Sequence, residues 1–596
     1  MRGTGVYDRL AYNAVVRAPY VAAGPCHLPR APPDHPGDVN PAGVWKWLEA
    51  SPDFRLLLHI ASIGASLHYL PGAAWPQGIH ENRVPLEYHQ EVSRQIADEV
   101  SKGWLKEVTA TCCPGEVANA PLQVAVEPSK VRRITDYSNV KHGARTGMNS
   151  LVDMYSLGDA PMHRPRDLGR AVYELSAPST PPPLLLVRDV SKAFRRLGVM
   201  PSHSRSLRTI WKGKVYEDMR LPFGHAASAH LCCKLTRAIA DAVTSHFPGQ
   251  AKVLAYVDDF ILVSRPEAAH KVERVFNQCM SDVGLPMSEA KAAEAGQWSP
   301  TATWIGFVHD TQRCTHALVD TKREAMHSEM DLVLKSTRSK LGVPFAQLQS
   351  LIGKLSHVAS VFTVGRAFLT NLYAVLATGK ARLMLTGQAA SDLQWWIRAL
   401  PLLPQKATMR KAPGDNDEVM VTDASLSGQG MALYSGVSIA RRALVQDATQ
   451  AAFGPFCRRG VPGDMMLLEA LAAQSAVALW ASRFQGKTGY ILLDNQPLQF
   501  AWQAGRSKSP RVNRVLREIL LMLLQHDAQV FPLRVQSSDN KVADALSRPY
   551  EPGQGGEQSV RAMQFNCKVL RLNPRDATKC DCFPQRLLDG PQQRQH

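Results

Sequence analysis

Long apolar runs are missing from this chain of 596 residues. Nowhere does it hold the ~18 consecutive apolar residues of a bilayer-crossing helix, so no membrane partner is expected. The opening stretch, MRGTGVYDRLAYNAVV, lacks the apolar segment of a secretion signal, which speaks against export. Cysteine is scarce, 11 in all, and its placement excludes more than it suggests. Cys112-Cys113 and Cys232-Cys233 are adjacent, and Cys580 and Cys582 flank a single residue. No disulfide framework, zinc motif or redox motif has that spacing, so a reducing, intracellular setting (cytoplasm or nucleus) is the expectation. Acidic residues are also in deficit, 52 Asp and Glu against 69 Lys and Arg, a net charge of +17 and a pI near 9.4. A charge of that sign suits a polyanion, nucleic acid ahead of a membrane surface.

Apolar residues make up an ordinary 45%, and the length calls for roughly two to four domains. CHLPRAPPDHPGDVNP (26–41) reads as a Pro-rich linker within an extension over 1–80. VANAPLQVAVEPSKVRRITDYS (117–138) alternates as a hairpin does, and LLLVRDV (184–190) reads as a buried strand. Within 316–412 the stretches AQLQSLIGKLSHVASV and SDLQWWIRALPLL carry helical spacing. A second linker, RKAPGDNDE (410–418), precedes strand, hairpin, helix, strand and helix signals within 413–548. The tail over 549–596 is expected to be poorly ordered.

LAYVDDFILV (254–263) sets Asp258 and Asp259 between two strand-forming runs. Asp-Asp is a poor hairpin turn, since such turns favour Asn-Gly or Asp-Gly. Taken alone, the pair is either an ordinary solvated turn or a place where something positive sits. Asp189, at the end of LLLVRDV, supplies a third carboxylate. Three such acids brought together would hold two Mg²⁺ ions, about 3.5–4 Å apart, for phosphoryl transfer.

Five motifs follow one another here: DVSKAF (189–194), LPFGHAASAH (221–230), YVDDF (256–260), GLPMSEAK (284–291) and WIGF (304–307). Their order resembles the palm of reverse transcriptases, and VRRITDYS (131–138) resembles the fingers segment that grips the incoming triphosphate. The resemblance spans roughly residues 80 to 548. It implies an α+β multidomain chain, a right-hand polymerase with fingers and palm (81–315) and a helical thumb or connection (316–412). It further implies that Asp189 and Asp258 hold the metals with the Val190 carbonyl, and that Asp259 supports them. Lys130 and Arg132 would meet the triphosphate, and Phe194 would press on the sugar. Pro222, Phe223 and Gly224 would floor the nucleotide site, and Lys291 would protonate the leaving pyrophosphate. Read without the resemblance, Arg132 and Arg133 are equally a solvated strand edge, Lys291 a solvated lysine and Phe194 a core aromatic. One departure is His230, where many relatives carry proline.

A second set of acids lies further on: Asp423 at a strand end, Glu469 on an apolar helix, Asp494 at a strand end and Asp544 at a helix start. Any one of them could be a cap or a surface charge. Their order and spacing resemble ribonuclease H, which implies an RNase H-like α/β domain with a mixed sheet and a second pair of metal ions. Relatives often carry histidine shortly before N-x-x-A-D, and here Arg534 lies near that place.

A polymerase joined to a ribonuclease H resembles a retroelement enzyme. LPFG, LIGKLSHVASV, WWIRAL and N-x-x-A-D-x-L-S-R look most like DIRS-type elements, with gypsy-type elements and pararetroviruses as rivals. The resemblance implies an RNA template, a DNA primer, RNA-DNA hybrids and dNTPs as partners. Mg²⁺ is the implied cofactor, two per site, with Mn²⁺ as the alternative. A polymerase without the nuclease, or a non-catalytic nucleic-acid-binding relic, are the other readings, and the chain is expected to be a polyprotein fragment or a degraded copy.

Overall fold

The computed structural model describes residues 37–72, 82–108, 120–127, 130–138, 147–176, 180–288, 297–402, 407–408, 418–425, 428–435, 438–446, 462–547 and 567–569. The chain is a mixed α+β protein of two compact units, Met1–Cys314 and Thr315–His596.

The first unit is built on a three-stranded antiparallel sheet in which Asp259–Ser264 is central, flanked by Leu184–Asp189 and Ala251–Tyr256. The central strand is paired on both edges, and its Phe-Ile-Leu-Val run is fully buried. Helices Ala226–Ser245 and Ala269–Val283 share its core through Leu235, Ile239 and Phe276, with the Phe276 and Phe260 rings 5.2 Å apart. Each such buried side chain contributes about 1.5–3 kcal/mol. A hairpin of Leu122–Glu127 and Lys130–Thr135, a smaller sheet and helix His89–Ser101 lie in the same unit.

Residues 37–72, expected as part of an extension, carry two helices that feed this same core. Asn40 caps Pro41–Leu48 by accepting from the Ala42 amide, and proline stands where no amide is needed. Val44, Leu48, Leu57 and Ile60 then join the core. Lys46 and Trp47 both donate to Asp282, at 2.6 and 2.8 Å.

The second unit contains helices Asp320–Arg338, Phe345–Val358, Thr370–Leu376 and Gly387–Leu402, and a six-stranded mixed sheet. Glu418–Ala424, Gly428–Ser435 and Ser438–Gln446 form an antiparallel meander. Thr488–Leu493 pairs parallel with Glu418–Ala424, and Gln529–Arg534 extends the sheet in parallel. On the other edge, Cys567–Val569, from the tail expected to lack order, pairs parallel with Ser438–Gln446. Met465–Phe484 is long and apolar enough, at a mean hydropathy of 1.4, to cross a membrane, although it is no unbroken apolar run. It is 67% buried and packs on the sheet through Leu467, Leu471 and Val477. On the sheet, Gly430 leaves room for the closing helix Lys541–Ser547: a Cβ there would sit 2.0 Å from the Ala543 carbonyl oxygen.

Candidate active sites

The first site begins at the hairpin joining Ala251–Tyr256 to Asp259–Ser264. Tyr256 pairs with Asp259, so the loop is Val257-Asp258 rather than the Asp258-Asp259 turn that the sequence suggests. Cross-strand packing decides this, because Ala255 must face Phe260 and Leu254 must face Ile261. Val257 then takes a φ of 55°, a left-handed conformation that strains a β-branched residue. Burial pushes the Cys233 thiol up to about 11, and the Val257 backbone beside it pulls the other way.

Asp189 lies directly across from Asp259 on the neighbouring strand. The Val190 amide donates to the Asp258 carbonyl at 3.1 Å, and the Ser288 amide to the Asp189 carbonyl at 2.9 Å. Side-chain oxygens of Asp189, Asp258 and Asp259 consequently lie within 4.8 Å of one another. At such a separation each like-charged pair costs roughly 3–4 kcal/mol at an effective dielectric of ~20. An all-carboxylate set of this kind fits a hard divalent cation.

Around it, the Phe194 ring stands 4.9 Å from the exposed Phe223 ring. Gly224 has a φ of +94°, and a Cβ on it would sit 2.4 Å from the Thr135 carbonyl oxygen. The Ser228 hydroxyl donates to the Pro222 carbonyl, and Asn149 Nδ2 to the Gly224 carbonyl, each at 2.8 Å. Pro222, Phe223 and Gly224 are thus held beside the end of the Lys130–Thr135 strand. Arg132 is exposed on that strand, whereas Arg133 turns inward to Glu99 and is not a solvated edge residue. His230 sits inside helix Ala226–Ser245, which runs on without a break because no proline interrupts it. Lys291 and the Lys130 side chain lie outside the described residues.

The second site is in the other unit. Asp423 and Asp494 stand at the carboxyl ends of neighbouring parallel strands, and Glu469 reaches them from helix Pro462–Trp480. Oxygens of these three acids lie within 4.8 Å of one another. Asp544, in the first turn of Lys541–Ser547, is near enough to act on Glu469 through charge but is not among the three. Burial, reinforced by Asp423 and Asp494, drives the Glu469 carboxyl well above the usual range. Among the described residues its Oε2 is buried without a hydrogen-bond partner. An orphaned carboxylate oxygen beside two further acids fits a divalent cation.

Two groups of residues around these sites have no counterpart in the sequence reading. Ser547 donates its hydroxyl to Asp423, and the Ser425 hydroxyl donates to the Ser547 carbonyl. Ser547 is the serine of the L-S-R signature, so the motif itself carried the signal. Arg195, Asp218 and Arg133 form a buried charged network around the half-buried Glu99.

No family model and no curated protein matches the chain. Among solved structures it is similar to a foamy viral protease-reverse transcriptase dRH in complex with ds DNA, at 16% identity and a TM-score of 0.43. That match covers 83% of this chain and 81% of the other. The foamy viral protease-reverse transcriptase in complex with dsDNA matches at 15% identity and a TM-score of 0.42, over 83% of this chain and 97% of that one.

Proposed function

We propose that the chain is an RNA-directed DNA polymerase with ribonuclease H activity, from a retroelement most like the DIRS type. The observation that carries this reading is the pair of acid clusters, each with three carboxylates inside 4.8 Å, one per compact unit. The order of motifs around them supports it, as does a net charge of +17 suited to nucleic acid.

Asp189, Asp258 and Asp259 would hold Mg²⁺ in the polymerase site; Asp423, Glu469 and Asp494, with Asp544 as the outer acid, would hold it in the nuclease site. Mg²⁺, or Mn²⁺ in its place, supplies positive charge that stabilises the attacking and leaving oxygens of phosphoryl transfer. The chain's own groups do the rest. Arg132 neutralises the dNTP triphosphate, because a guanidinium pairs well with phosphate. Phe194, braced by Phe223, covers the sugar, while Pro222 and Gly224 shape the floor beneath it. The strained Val257 turn presents Asp258 outward from a rigid hairpin.

The test is a primed RNA template with labelled primer, dNTPs and Mg²⁺, alongside labelled RNA annealed to DNA. Asp258→Asn should abolish extension and spare RNA cleavage; Asp423→Asn should do the reverse. Wild-type extension by a folded Asp258→Asn protein would refute the polymerase assignment, and RNA cleavage by Asp423→Asn would refute the nuclease.

A further inference from the structure

Arg132 and Phe194, the two residues assigned to the incoming nucleotide, are each followed by an arginine that turns inward. Arg133 and Arg195 both end on the same carboxylate, Glu99 of helix His89–Ser101, at 2.6 and 2.7 Å. Arg195 also pairs with Asp218, at the end of strand Lys214–Asp218. The side chains of Arg133, Arg195 and Asp218 are 6%, 4% and 1% exposed. Burial works against the Arg195 charge, and Asp218 and Glu99 more than restore it. One residue earlier on the helix, Asp98 lies 3.7 Å from Lys192, which precedes the short helical turn that carries Phe194.

Burying three charged groups around a half-buried Glu99 is a costly way to gain stability, since apolar residues of similar volume often serve as well. What such a network supplies is directional placement. Planar guanidiniums fix both distance and angle to a shared carboxylate, which apolar packing does not. Here the shared carboxylate ties the strand of Arg132 to the turn of Phe194.

We propose that Glu99 is a positioning residue that sets the spacing between Arg132 and Phe194, and through it dNTP affinity and discrimination against ribose. This rests on the polymerase reading above. Glu99 touches no reacting atom in this arrangement, so its removal acts on nucleotide binding and spares the chemistry once the nucleotide is saturating.

The experiment uses the full chain with Glu99→Gln, which keeps the shape and removes the charge. Primer extension with dGTP and with GTP is compared by kcat and KM. The dGTP KM should rise roughly tenfold with kcat held within about twofold, and the preference for dGTP over GTP should fall by about fivefold or more. RNA cleavage in the other unit should be unchanged. If Glu99→Gln is unfolded by circular dichroism, Arg133→Lys, which keeps the charge with a shorter reach, carries the same test. A folded variant with wild-type KM and wild-type sugar preference overturns the proposal, as does a loss confined to kcat. A wild-type protein that extends no primer overturns the polymerase reading itself. Discrimination altered by Phe194→Val but not by Glu99→Gln overturns the positioning role alone.

Discussion

Ser547 donates its hydroxyl to the carboxylate of Asp423, from 124 residues further along the chain. The same hydroxyl lies 2.9 Å from the Asp544 carbonyl, but it has one proton, and the carboxylate is the stronger acceptor. Hydrogen bonds to charged groups are worth about 1.5–3 kcal/mol. Ser547→Ala should therefore lower RNA cleavage at limiting Mg²⁺ roughly ten- to hundredfold, with recovery at high Mg²⁺. Titrating Mg²⁺ against hybrid cleavage measures it; an unchanged half-maximal Mg²⁺ concentration contradicts the role.

The Phe194 and Phe223 rings stand 4.9 Å apart between centroids, and in the proposed polymerase they would meet the sugar. Metal and phosphate contacts are common to dNTPs and NTPs, so the ring must do the discriminating. Phe194→Val should raise GTP incorporation by one to two orders of magnitude while DNA synthesis survives, about 1.4–2.7 kcal/mol of lost selectivity. The ratio of kcat/KM for dGTP and GTP decides it, and an unchanged ratio reduces Phe194 to packing.

Glu469 holds a buried oxygen with no partner among the described residues, beside two other acids. In EDTA this is an uncompensated cost, which Glu469→Gln removes. The variant should melt higher than wild type without metal. Mg²⁺ at about 100 times its Kd should add roughly 2.7 kcal/mol to the wild type and much less to the variant. Thermal unfolding of both proteins, with and without Mg²⁺, gives the comparison. Equal gains in the two would remove Glu469 from the metal site.

His225 and His309 are buried and neutral in the first unit, each lowered to about 4 chiefly by burial. The Ala227 amide donates to His225 Nδ1, so its Nε2 carries the proton, facing the Tyr69 hydroxyl at 3.2 Å. Once unfolded, each takes up a proton near pH 6.5. Stability conferred by the neutral rings is therefore complete above that pH and is lost as pH falls from 6.5 towards 4. Replacing one of them, as in His309→Gln, should flatten the fall by up to ~1.4 kcal/mol per pH unit. Thermal melts across that window test it, and parallel curves for variant and wild type would contradict it.

The carboxylates were legible because acids set at strand ends leave a mark in the sequence. Asp189, Asp258 and Asp259 sit together as read, and so do Asp423, Glu469 and Asp494. The turn lies one residue earlier than the sequence suggests because cross-strand register, not turn chemistry, places Val257 in the loop. The Glu99 network was invisible for a different reason. Its pairs join residues 34 and 96 positions apart, and only the folded chain brings them together. The first helix of 37–72 has a legible start, because Asn40-Pro41 before an apolar periodic run is a helix-start signal.

Gly430 faces Asp423 across the sheet, and the closing helix rests where its side chain would be. A single methyl group at that position would strike the Ala543 carbonyl and the Ser547 amide, both parts of backbone that cannot swing aside. The helix would have to lift, carrying away Asp544 and the serine that steadies Asp423. Position 430 is thus a silent lever on the proposed nuclease site: that site could be undone with every acid intact, by gaining one carbon atom on the neighbouring strand.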